Sequence, residues 1–151
     1  MEYQIERVER LEQPTAIVLG QVPEVGIAEF LGGVFGEVIG ALSAQGLAPA
    51  GAPFGIYSPP SKEGFRIEAG FPCSGPVAPT GRVAPSTLPA GEVLRVTHRG
   101  PYQDVAAAYQ AMEAFMVDHG LVPAGPPWES YLDDPEVEVP RTVVEWPVRS
   151  A

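Results

Sequence analysis

Residues 46–57 read GLAPAGAPFGIY and residues 120–131 read GLVPAGPPWESY. Gly46/Gly120, Leu47/Leu121, Pro49/Pro123, Ala50/Ala124, Gly51/Gly125, Pro53/Pro127 and Tyr57/Tyr131 are identical, and Phe54/Trp128 keeps an aromatic. Such a match within one chain implies two copies of one supersecondary unit, and hence a pseudo-twofold fold. One position breaks the repetition, because Gly55 in the first copy becomes Glu129 in the second. The repeat supplies the scaffold, so a carboxylate in place of a glycine is the first place to look for function.

The pattern around each copy predicts the same order of elements. In the first half, 3–11 reads as an edge strand and 15–22 (TAIVLGQV), bracketed by Pro14 and Pro23, as a buried strand. Ile27, Phe30, Leu31, Val34, Val38 and Leu42 lie at helical spacing over 26–45, and Gly46 is a natural stop. Strands over 54–59 and 64–71 follow, around the turn Pro59-Pro60-Ser61-Lys62. In the second half, 91–98 reads as a strand and 101–119 as a helix with Pro101 in its first turn, ended by Gly120. Strands over 128–132 and 141–147 complete it. Each half is β-α-β-β, and Phe71-Pro72 and Trp146-Pro147 end them alike. The Pro- and Gly-rich stretch 72–90 reads as a crossing linker, with a possible extra strand near Arg82-Val83.

The expected fold is therefore α+β: two pseudo-twofold related β-α-β-β repeats, two main helices, one curved and largely antiparallel sheet arrangement, and a central ligand cleft. The chain reads as one domain over 1–151, with repeat one at about 1–73, a linker at about 74–89 and repeat two at about 90–151. An isolated unit would leave a sheet face and an edge open, and pairing two of them closes the core.

Composition narrows the function classes. An apolar fraction of 45% supports a packed interior. A net charge of −10 argues against direct nucleic-acid binding, which needs clustered Lys and Arg. The single Cys73 excludes an intrachain disulfide and a Cys-rich zinc site. No metal-ligand spacing, nucleophile elbow or phosphate loop is present, so neither metal nor cofactor is expected. The charged start MEYQIERVERL lacks the apolar core of a signal peptide, and Glu29 and Glu37 interrupt the most apolar stretch. These features point to a cytoplasmic protein without a membrane span, as monomer or homodimer. The stripe Gly32, Gly36, Gly40 on the first helix suggests close backbone approach to the sheet or to a second subunit.

Glu129 shares a strand face with Tyr131, while Trp128, Ser130 and Leu132 share the other. A carboxylate among aromatics can neutralise a cation stacked on the rings, or act as general acid or base. It can equally be an exposed glutamate on an edge strand. Tyr57 and Tyr131 are repeat mates, as are Phe71 and Trp146, and each alone reads as a core residue. As a set around one acid they form a candidate ligand site. Trp128 is the weaker candidate because it faces away. Tyr102 and Tyr109 lie on one helical stripe and read as core, with one hydroxyl able to reach the site. His98 and His119 read as structural.

The run from His98 to Pro147 resembles the gyrase-inhibitor-like family, also known as the effector-binding domain of bacterial transcription activators. The resemblance rests on His98-Arg99-Gly100-Pro101-Tyr102 before the helix, Gly120-Leu121 after it, Glu129-Ser130-Tyr131 in a strand, and Trp146-Pro147 at the end. It implies a cleft between the repeats for hydrophobic, often cationic and aromatic compounds, with Glu129 balancing the charge. It also implies a stand-alone form, since no helix-turn-helix is read here. Some stand-alone members hydrolyse strained cyclopropane-containing natural products with a tyrosine and this glutamate.

Three readings follow. One is a sensor or sequestering protein for small molecules, using Glu129, Tyr57, Tyr131, Phe71, Trp146, Trp128 and Tyr102. Another is a hydrolase with Glu129 and Tyr131 or Tyr57 as catalytic groups. The third is a protein-interaction inhibitor of the gyrase type, supported only by the acidity.

Overall fold

A computed structural model describes residues 3–58, 64–134 and 136–151. Its strands are β1 (Glu6–Arg10), β2 (Gln13–Val22), β3 (Phe54–Tyr57), β4 (Phe65–Pro72), β5 (Ala84–Leu88), β6 (Gly91–Arg99), β7 (Leu121–Pro123), β8 (Trp128–Tyr131) and β9 (Arg141–Ser150). Helix α1 spans Ile27–Ala44 and α2 spans Ala106–His119, each preceded by a short 3-10 turn, Glu24–Gly26 and Tyr102–Asp104. The chain is α+β, as the repeat predicted, and divides into two compact units: Glu12–Pro89, and Met1–Leu11 together with Ala90–Ala151.

In the first unit the strands run β3-β4-β2-β5, all antiparallel. The β-branched run of β2 buries Ala16, Ile17 and Val18. Helix α1 presents Val34, Val38, Ala41 and Leu42 to the core that holds Ala16 and Val18. Each fully buried Val or Leu side chain contributes about 1.5–3 kcal/mol relative to leaving it exposed. By length and composition residues 24–44 could cross a membrane, and 22% of that apolar window is buried. The glycine stripe does not approach the sheet, contrary to one of the expectations. Gly32, Gly36 and Gly40 are exposed on the far side of α1, and a Cβ on any of them would meet nothing within 4 Å. Cys73 is buried here, its thiol donating to the Gly75 carbonyl and pushed up in pKa by burial.

In the second unit the order is β1-β6-β9-β8, again antiparallel, with β7 also pairing β9. Leu94, Val96, Ala108, Met112, Met116, Leu121, Val144 and Val148 form its core under α2. Helix α2 ends at Gly120, whose φ of 65° is the left-handed geometry that glycine adopts without strain. Gly46, its repeat mate, has φ 69° just past α1.

The ends of the elements differ from the sequence expectation. Pro101 precedes a 3-10 turn and α2 begins at Ala106. Strand β7 was not expected. Part of the 72–90 stretch is strand β5, beside the position expected for an extra strand. The turn Pro59-Pro60-Ser61-Lys62 lies outside the described residues. The largest difference concerns the edges. Strand β1, counted with the first repeat, pairs with β6, and β5 pairs with β2. The two strands correspond, since each is 5 residues long and is followed after two residues by β2 or β6. Each repeat thus begins with a strand that completes the other repeat's sheet.

Candidate functional site

Strand β8 reads WESY, and its alternation sends Glu129 and Trp128 to opposite faces. Glu129 pairs with Val144, on the face that carries the α2 core. Its side chain is only 4% exposed. Three phenols close around it. Tyr102 and Tyr131 donate to Oε1 at 2.5 and 3.0 Å, and Tyr109 donates to Oε2 at 2.5 Å. The two bonds at 2.5 Å have the length typical of O–H donors to a carboxylate, which are roughly twice as strong as neutral pairs.

Each donor comes from a different element. Tyr102 stands on the 3-10 turn, Tyr109 on α2 and Tyr131 on β8 itself. The Tyr102 and Tyr131 rings lie 5.9 Å apart. The Tyr109 ring meets Trp146 edge-on at 5.7 Å. Tyr102 is 40% exposed, so the water-facing part of the cluster is aromatic while the charge lies beneath it. Among the described residues no Arg or His forms an ion pair with Glu129. Beyond Tyr131, Arg141 holds Asp133 through its main-chain N–H and its guanidinium, and this partner keeps the Asp133 carboxyl below its usual range.

A second buried acid lies on the opposite face. Glu145 pairs with Trp128 across the β8–β9 ladder and is 4% exposed. It accepts from Trp128 Nε1 at 3.0 Å, through both its oxygens from Arg10 Nη1 at 2.9 and 2.8 Å, and from Arg95 Nε and Nη2 at 3.1 and 3.0 Å. The Arg10 guanidinium also lies 5.7 Å over the Trp128 ring. This acid is internally neutralised.

Glu129, Tyr131 and Tyr102 come together, with Trp146 against Tyr109 one step away. Trp128 does not join them, because strand alternation buries it on the Glu145 face. Phe71 lies in the core of the first unit, edge-on to Phe35 at 5.7 Å. Tyr57 also belongs to the first unit, packed beside that core with its ring lying across Gly55. Tyr109 was read as core, though its spacing of seven from Tyr102 puts both on one helical face. Glu145 was not singled out. Its signal was an acid inside the apolar run VVEWPV. His119, stacked on Phe115 and bonded to the Phe115 carbonyl, is a helix-end residue.

The second unit thus holds a buried acid hydrogen-bonded by three phenols, within an α+β double repeat. The chain belongs to the GyrI-like small molecule binding domain family, whose model matches residues 1–149. It is similar in structure to the EcmrR C-terminal domain, at TM-score 0.81 and 22% identity over 100% of both chains. It is also similar to EcmrR in a complex with DNA, at TM-score 0.85 and 22% identity, covering 99% of this chain but 58% of that one. SAV2435 bound to tetraphenylphosphonium matches at TM-score 0.62 and 17% identity, over 99% and 94% of the two chains. A protein from Listeria innocua described as a hydrolase matches at TM-score 0.72 and 17% identity, over 97% and 92%. The sequence matches none of the curated proteins compared with it.

Proposed function

We propose that the protein binds hydrophobic cations, aromatic ones above all, at the Glu129–tyrosine cluster, and serves in the cytoplasm as a sensor or sequestering protein for xenobiotics. One observation carries this reading. Glu129 is buried, receives three neutral hydroxyls, and has no counter-charge among the described residues. Phenols lower the cost of burying a carboxylate but do not cancel its charge. A cation with an apolar periphery supplies that charge and can stack on the exposed Tyr102 ring. The tetraphenylphosphonium bound to SAV2435 has this chemistry. The test is calorimetric titration of tetraphenylphosphonium and of neutral triphenylphosphine oxide into wild type and Glu129→Gln. Selective loss of the cation supports the reading, and equal loss of both ligands refutes it.

A second reading, hydrolysis of a strained electrophile, draws on the 2.5 Å bonds from Tyr102 and Tyr109 to Glu129. In it a phenol protonates the leaving carbon or oxygen while Glu129 takes a proton from the attacking water. The tyrosines in reach include Tyr102 and Tyr109, beside the Tyr131 expected from sequence. Mass spectrometry of cyclopropane-containing substrates after incubation checks it, and unchanged substrate removes it.

A further inference from the structure

We propose that His98, held by Tyr3, is the positioning residue for Tyr102 in the Glu129 cluster. The purpose of this role rests on the cation-binding reading, but its geometry does not.

His98 is 1% exposed and both ring nitrogens are engaged. Nε2 lies 2.9 Å from the Pro101 carbonyl oxygen, and Nδ1 lies 2.8 Å from the Tyr3 hydroxyl. A carbonyl oxygen only accepts, so Nε2 carries the proton. In the neutral ring Nδ1 then accepts, and the Tyr3 O–H donates to it. Burial, and next the charge of Asp104, raise the Tyr3 pKa, which keeps that hydroxyl protonated. The assembly fixes one tautomer and aims one N–H at one carbonyl.

That carbonyl is the anchor of Tyr102. Pro101 O also accepts from the Asp104 N–H at 3.0 Å, which closes the 3-10 turn carrying Tyr102. The residue before it is tied as well, Gly100 N–H donating to Pro140 O at 2.9 Å. Tyr102 follows Pro101 directly and reaches Glu129 Oε1. A chain of contacts thus runs from Tyr3 through the imidazole and one peptide to the phenol. Tyr102 is the most exposed of the three donors and stands on the shortest element, so it gains most from an external hold.

Comparison with the first unit shows that the strand itself does not require a histidine here. The ladders β2–β4 and β6–β9 place Gly20 opposite Ile67 and His98 opposite Thr142, in equivalent registers. In the first unit that position is a glycine, over which the Phe30 ring lies. Imidazole appears only in the unit that carries the glutamate cluster.

The test uses the full chain with its five tyrosines isotope-labelled at Cζ and assigned by single Tyr→Phe variants. His98→Asn and His98→Gln are compared. Both are neutral amides, but only glutamine extends far enough to donate to Pro101 O. The asparagine variant is expected to move the Tyr102 resonance, leave those of Tyr109 and Tyr131 in place, and weaken tetraphenylphosphonium about fivefold. The glutamine variant is expected to restore both. An unmoved Tyr102 resonance in His98→Asn overturns the proposal, as do equal shifts of all three tyrosines or a glutamine variant no better than asparagine. Should His98→Asn not fold, Tyr3→Phe replaces it, with the same requirement that Tyr102 alone respond. If wild type binds no tetraphenylphosphonium, the cation reading fails while the resonances still decide the role of His98.

Discussion

The two units share one ladder and differ where chemistry is found. Aligning β3–β4 on β8–β9, and β2–β4 on β6–β9, sets Gly55 against Glu129, Gly70 against Glu145 and Gly20 against His98. In the first unit all three positions are glycine. The ring of Tyr57 folds over Gly55, where a Cβ would lie 3.1 Å from it. The Phe30 ring covers Gly20, and the Ala16 carbonyl oxygen approaches Gly70 so closely that a Cβ would sit 1.9 Å away. In the second unit the same positions hold an acid under phenols, an acid between arginines and a histidine spanning two partners. One copy has used the space for close packing and the other for polar groups. The two acids then differ from each other. Glu145 is balanced within the fold, whereas among the described residues Glu129 is hydrogen-bonded by the phenols of Tyr102, Tyr109 and Tyr131 and by no cation.

The largest expected effect tests the packing side. Gly70→Ala forces β2 and β4 apart and is expected to cost about 4 kcal/mol in denaturant unfolding. A loss below 1 kcal/mol, on the order of an ordinary surface change, would show that the close approach is not fixed. Next is Glu145→Ala, which leaves Arg10 and Arg95 without their shared acid and is expected to cost about 3 kcal/mol of stability. Tetraphenylphosphonium affinity should follow only the folded fraction. Glu129→Gln reverses this split: affinity for the cation falls about 30-fold, near 2 kcal/mol, with little change in the unfolding midpoint. If both glutamates moved stability alike, the contrast between them would be wrong. The smallest effect is Gly55→Ala. Its new methyl meets the far end of the Tyr57 side chain, which can give way, and alanine suits a strand better than glycine. The two terms offset to within about 0.5 kcal/mol by thermal unfolding.

Sequence alone carried the repeat, both helices and the main strands, because apolar periodicity and the Gly-Leu-x-Pro-Ala-Gly match are local. It also carried Glu129, as a departure from that match. What it missed is non-local. No local pattern reveals that Arg10 and Arg95 converge on Glu145, since the partners lie 135 and 50 residues away. Tyr109 was hidden by its own regularity, as an aromatic on an apolar stripe looks like core whether or not its hydroxyl has a charged partner. The destination of β1 was illegible for a related reason: an edge strand with alternating residues fits either sheet, and register with β6 is set by pairing across the whole chain.

The exchange of edge strands has a consequence for ancestry. A single-repeat precursor would have had its opening strand but no sheet of its own to finish with it. Two such molecules could complete each other only by lending that strand reciprocally, and the present chain has the strand pairing that such an exchange within one chain would give. Within one chain the two copies need not stay alike, and one holds glycines where the other holds its acids.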